Sequence, residues 1–213
     1  MRRKCYPVSM LTAIRSPQNV LAALEPQPAG WILLVGPRSL NASLLTLIAS
    51  LGERMAGRAG LEPPSLGSAA GPAAGSIRVL DGGNRFNAYT VARQARGRPE
   101  VLERITVSRA FTCYQALALL ESTPASASPF VVLDLLGTFY DEQIHAGERK
   151  RLLRGCISQL KRLQAAAGGV VSIHPPAIPS PAAIELLHLL EQAAVDTYFV
   201  QPAAPAPEPL RLF

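Results

Sequence analysis

No apolar run in this chain approaches the roughly 20 residues needed to cross a bilayer, so no membrane-spanning helix is expected. Cysteine is scarce. Cys5, Cys113 and Cys156 are odd in number and far apart, which argues against a disulfide framework and for a reducing compartment. The three histidines, His145, His174 and His188, have no metal-ligand spacing with them. His188 falls in an apolar helical stretch and reads as a boundary residue. Secretory character is lacking too: MRRKC is basic, but Pro7, Arg15 and Pro17 interrupt any apolar core behind it. The expectation is a soluble, cytoplasmic protein. Lysine is nearly absent, with three against 18 arginines. The net charge of +6 therefore permits an acidic partner, although a coding bias gives the same skew.

What the chain does have is length and apolar content. Its 213 residues, 48% hydrophobic, suffice for one ordinary domain with a real core. The organising stretch is Trp31 to Ala59. Trp31-Ile-Leu-Leu-Val35 is a short apolar run bounded by Gly30 and Gly36, as expected of a strand covered on both faces. Asn41 is the expected helix N-cap. Leu44, Leu45, Leu47, Ile48 and Leu51 then recur at helical spacing over 41–58.

Strand, loop and helix is the layout of phosphate-binding loops, whose pattern is G-x-x-x-x-G-K-[ST]. Gly36 opens that pattern here and Ser43 closes it, with Pro37, Arg38, Ser39 and Leu40 between. The second glycine is replaced by Asn41 and the lysine by Ala42. That glycine lets backbone N–H groups wrap phosphates, and the lysine carries charge to the outer ones. Arg38 supplies a positive charge from a different position. The same residues also fit a plain βα turn that binds no nucleotide.

Further elements follow in order. Strands are expected at Ser76–Asp81, Ile105–Ala110, Phe130–Leu136, Val170–His174 and Thr197–Gln201. Helices are expected at Phe86–Arg96 (with Phe86, Tyr89, Val91 and Ala92 inward), Pro99–Glu103, Thr112–Ser122, Glu148–Ala166 and Ala182–Ala194. A short helix over Pro17–Leu24 belongs to an N-terminal extension, residues 1–29. The core domain is 30–201, interrupted at 61–75 by a flexible low-complexity connection, and 202–213 is a proline-rich tail. Strands alternating with helices imply βαβ units and an α/β fold: three layers, αβα, around a mainly parallel sheet.

Several of these stretches, in this order, resemble the core domain of the RecA/RadA recombinase superfamily. Val79-Leu-Asp-Gly-Gly-Asn-Arg-Phe86 is similar to a strand ending Asp-Thr-Glu before a Phe. Ile105-Thr-Val-Ser-Arg-Ala-Phe-Thr-Cys-Tyr-Gln115 resembles a strand reading ARAF before a turn and Gln. Phe130-Val-Val-Leu-Asp134 is similar to the Walker B strand, and Gly147-Glu148-Arg149 resembles the segment after the first DNA-binding loop. The resemblance runs from about Gly30 to Gln201 and implies a RecA-like P-loop NTPase fold.

It also implies a vestigial nucleotide site at Gly36, Pro37, Arg38, Ser39, Leu40, Asn41, Ala42, Ser43 and Asp134. Ser43 and Asp134 match the positions that hold Mg²⁺ in that family. ATP and Mg²⁺ are the only cofactors it suggests. The family's phosphate lysine is Ala42 here, and its water-directing glutamate is Gly83. Phosphoryl transfer depends on positioning and charge stabilisation, so little or no ATPase activity is expected. Arg38, Asp81, Asp134 and His174 are expected near one another, at the carboxyl ends of the strands.

For DNA, the resemblance and the charge pattern point to Tyr140, Arg149, Lys150, Arg151 and Arg154, with a second basic group at Arg93, Arg96, Arg98 and Arg104. An ordinary solvated helix face explains the α-helical arginines equally well. The functional expectation is a non-hydrolysing recombinase paralogue, acting as a DNA-binding or assembly module in repair. Its partners would be single-stranded DNA or another RecA-fold subunit, in a homo- or hetero-oligomer. The alternatives are an ATPase in which Arg38 replaces the lysine, and a regulatory interaction domain with no role on DNA.

Overall fold

A computed structural model describes residues 30–59, 76–141 and 143–201. The helix expected at Pro17–Leu24, the connection at 61–75, Glu142 and the tail at 202–213 lie outside the described residues. Six strands form one sheet: β1 (Trp31–Val35), β2 (Ile77–Asp81), β3 (Ile105–Arg109), β4 (Phe130–Leu133), β5 (Gly169–Ile173) and β6 (Asp196–Phe199). Their order is β3-β2-β4-β5-β1-β6, and every pairing is parallel. Helices α1 (Leu40–Ala59), α2 (Ala88–Gln94), α3 (Pro99–Leu102), α4 (Cys113–Ser122), α5 (Ala146–Gln164) and α6 (Pro181–Glu191) make the connections.

Strand residues alternate between two cores. Trp31, Leu33 and Val35 face one side, packed with α4, α5 and α6 through Ala116, Leu153, Leu160 and Leu187. Ile32 and Leu34 face the other, against Leu44, Leu47 and Ile48 of α1 and Val91 of α2. The expected three-layer αβα arrangement is thereby realised. Crossing direction and face change together. The connections β1→β2 and β2→β3 run toward the β3 edge over the α1–α3 face, whereas β3→β4, β4→β5 and β5→β6 run back over the α4–α6 face. That coupling is what a single crossover hand requires.

Helix starts follow local chemistry. Thr112 Oγ1 accepts from Gln115 N–H while Gln115 Oε1 accepts from Phe111 N–H, a near capping box. Asn87 caps α2 and Ser180 caps α6.

Three expectations are corrected here. The first is Asn41, which is no cap: α1 begins one residue earlier, because Leu40 is drawn into the core at 3% exposure. The second concerns β4, which stops at Leu133 rather than Leu136. Asp134 turns left-handed (φ 49°), and Leu135–Thr138 form a 3-10 turn that buries Leu135 and Leu136. The third is Tyr89, which is 72% exposed, since α2 presents Val91 inward instead. Other boundaries move by one to three residues.

Candidate functional site

In a parallel sheet, ligands gather outside the carboxyl strand ends, at points where neighbouring strands send their connections to opposite faces. Three such points exist among the described strands. β1 leads into α1 on one face while its neighbour β5 leads into α6 on the other; β2, leading into α2, stands in the same relation to both of its neighbours, β3 and β4.

A cleft of about 800 Å³ opens at the β1/β5 point. Gly36, Pro37 and Arg38 form part of its wall. Arg85, Asp134, Tyr140, His174, Pro175, Pro176 and Phe199 complete most of the rest. Of the four residues expected together, Arg38, Asp134 and His174 do line this one space. Asp81 lies just behind it, joined through the backbone of Arg85.

The loop after β1 does not wrap an open cradle. Leu40, Asn41 and Ala42 donate their N–H groups to the carbonyls of Pro37, Arg38 and Ser39, at 2.9, 3.1 and 3.2 Å. Pro37, with its fixed φ, starts this tight turn. Donors that a phosphate loop would aim outward are thus engaged within the turn. Space inside it is filled too: a Cβ on Gly36 would lie 3.1 Å from Leu40 Cδ2 and 3.1 Å from Val200 Cβ. Asn41 turns its amide away and donates from Nδ2 to Arg85 O at 2.9 Å. Ser43 and Ala42 do not line the cleft.

Asp134 is 1% exposed, and both its carboxylate oxygens are engaged. Oδ2 accepts from Arg85 Nε at 2.9 Å, and Oδ1 accepts from His174 N–H at 3.1 Å. Its own N–H donates to Ser172 Oγ, which donates on to Val132 O. The left-handed backbone needed to reach these partners costs on the order of 1 kcal/mol for a non-glycine residue.

Gly83 makes this posture possible. A Cβ there would sit 2.5 Å from both Cβ and Oδ2 of Asp134. No side chain fits, so a glutamate at position 83 and the present Asp134 are mutually exclusive. The absent glutamate and the salt-bridged aspartate are two sides of one packing solution.

Asp81, fully buried, staples the loop after β2. Its carboxylate accepts from the N–H groups of Arg85 and Phe86, at 2.8 and 3.0 Å, and from Arg109 Nε at 3.0 Å. Arg85 and Arg109 were not singled out by sequence reasoning. The usable signal was the spacing: Arg85 stands four residues after Asp81 in a glycine turn, and Arg109 ends the neighbouring strand.

The expected DNA residues divide. Arg149 faces inward at 9% exposure and donates from Nη1 to Phe139 O at 3.2 Å, so it is corrected out of any exposed ridge. Its position in the helix explains this: residues 149, 152, 153, 156 and 160 share one stripe. Lys150 pairs with Glu185 of α6. Arg151 grips Glu148 through two bonds of 2.8 and 2.7 Å, and these hold the Glu148 carboxyl below its usual range. Arg162 caps the end of α4, donating to the carbonyls of Leu120, Glu121 and Thr123. Arg154 remains exposed. Phe139 is fully buried and Tyr140 half-buried against the core, so both are packed inward. The second basic group differs: Arg93 and Arg96 are exposed, Arg104 is half-exposed, and Arg98 pairs with Glu53 of α1.

No protein-family model matches this chain. No curated protein matches it either. Among the described residues no group of His, Cys, Asp and Glu is arranged to hold a metal ion, and no helix is long and apolar enough to cross a membrane.

Proposed function

We propose that this chain is a non-hydrolysing member of the RecA-like class, working as a binding or assembly module rather than as a motor. One observation carries the reading: the Asp134 carboxylate is held by Arg85 and the His174 backbone, against a residue 83 that has no room for a side chain. A hydrolytic site needs that carboxylate turned to a metal and a second carboxylate turned to water. The inward-bonded turn at 37–42 supports the same conclusion, because it engages phosphate donors internally.

Single-stranded DNA and a second RecA-fold subunit are the proposed partners, in DNA repair or recombination. For DNA, the exposed Arg93 and Arg96 and the half-exposed Arg104 are better candidates than α5, whose basic side chains are largely engaged in pairs and caps. The test is oligonucleotide binding by fluorescence anisotropy across a salt series. A steep salt dependence, reduced in the Arg93→Ala/Arg96→Ala double variant, is expected. Salt-independent or undetectable binding would leave only the protein-partner reading.

A further inference from the structure

We propose that the cleft at the carboxyl ends of β1 and β5 is a metal-independent binding site for a small organic oxyanion, meaning a carboxylate or phosphate carried on a flat apolar body. This goes beyond the module reading and does not depend on whether that module binds DNA.

Four features converge. The first is place: the cleft occupies a topological switch point, where open parallel sheets take their ligands. Its volume falls within the range of small-molecule sites.

The second is charge. Arg38 and Arg85 both line the cleft, and among the described residues the single carboxylate lining it, Asp134, has both oxygens engaged. One positive charge is left in excess among those residues. Arg85 uses Nε on Asp134, which leaves the two Nη groups of its guanidinium fork as donors. Arg38 leads directly into the 20-residue α1, whose N-terminal partial charge has the same sign.

The third is a buried polar group without a partner. His174 lines the cleft at 6% exposure, and neither Nδ1 nor Nε2 has a hydrogen-bond partner. Leaving a buried imidazole unsatisfied costs free energy; both ring nitrogens lie just beneath the surface of the wall, so a ligand oxygen would recover that cost with a small turn of the ring toward the cleft. The backbone around it is firmly set, since His174 N–H is bonded to Asp134 and Pro175 and Pro176 follow.

The fourth is the apolar wall. Tyr140, Phe199, Val200, Val35, Pro175 and Pro176 face the same space, and flat rigid surfaces of this kind suit a planar body. Mg²⁺-triphosphate is a poor match, because Ser43 is not part of the lining and Asp134 is already paired.

The probes are 1-naphthyl phosphate and 1-naphthoate, titrated by calorimetry into the full chain in EDTA and, separately, in Mg²⁺. Saturable 1:1 binding of at least one probe is expected, with the same affinity in both buffers. The tighter of the two identifies the headgroup. Arg38→Ala should weaken it about tenfold or more. Arg38 is exposed, so the variant is expected to fold. The His174 ring ¹⁵N resonances should shift as the probe saturates, a readout independent of any substitution. No saturation by either probe below ~10 mM would overturn the proposal. So would binding that requires Mg²⁺, or binding that leaves both the Arg38→Ala affinity and the His174 ring signals unchanged.

Discussion

Two buried aspartates end two neighbouring strands, and they have opposite situations. Asp81 ends β2 in regular strand geometry and gathers three donors from its own loop and from Arg109. Asp134 follows β4 in a left-handed conformation and takes its donors from distant elements, Arg85 and His174. Asp81 is sealed off behind the site, whereas Asp134 lines the cleft. An acidic residue at a strand end thus has two different uses. One fastens a loop; the other is itself held in place by a loop.

The comparison breaks most visibly at Asp81. Asp81→Ala leaves two backbone N–H groups and Arg109 without their acceptor. It should destabilise the fold by about 3–5 kcal/mol, read by urea denaturation. Asp134→Asn keeps the left-handed-tolerant side-chain type and one acceptor oxygen, so a smaller loss of about 1–2 kcal/mol is expected. Equal losses would mean that the two carboxylates have the same role after all.

Gly83→Glu sharpens the contrast from the other side. It places a carboxylate beside Asp134 but forces Asp134 out of its posture, with an expected cost of about 1–3 kcal/mol from overpacking. A neutral change in stability would show that Asp134 has room to move.

The helical layer supplies a prediction away from the strand ends. Burial, chiefly, pushes the Cys156 thiol from 9.0 up to about 12. The unfolded chain therefore loses this proton near pH 9, while the folded chain keeps it to about pH 12. Stability is fully present below pH 9 and should fall by about 1.4 kcal/mol per pH unit between those values. Cys156→Ala should remove this part of the alkaline slope, as measured by denaturation at pH 8 and pH 10. A slope unchanged in the variant would contradict the assignment.

Much of the fold was legible in the sequence. The apolar runs at 31–35, 77–81 and 130–133 and the helical spacing of Leu44, Leu45, Leu47 and Ile48 each mark an element that the fold contains. Parallel pairing followed from the alternation of strands and helices. Turn geometry was less readable. Asn41 has the chemistry of a cap, but the hydrophobic pull on Leu40, two residues before Ala42, decides where α1 starts. Leu135 and Leu136 extend a strand-like pattern, yet the left-handed turn at Asp134 sends them into the α4–α6 core.

The candidate site was half legible. Spacing brought out Arg38, Asp134 and His174, and they meet in one cleft. Arg85 escaped notice because its role depends on a contact 49 residues away in sequence. Arg149 looked like part of a basic ridge because charge pattern alone does not reveal which face of α5 is covered.

Phosphate release from Mg²⁺-ATP by the purified full chain, with and without single-stranded DNA, is the most direct measurement. Release at the no-protein background in both conditions is predicted, because Asp134 is committed to Arg85 and residue 83 has no carboxylate. Sustained turnover that disappears in Asp134→Ala would contradict the account.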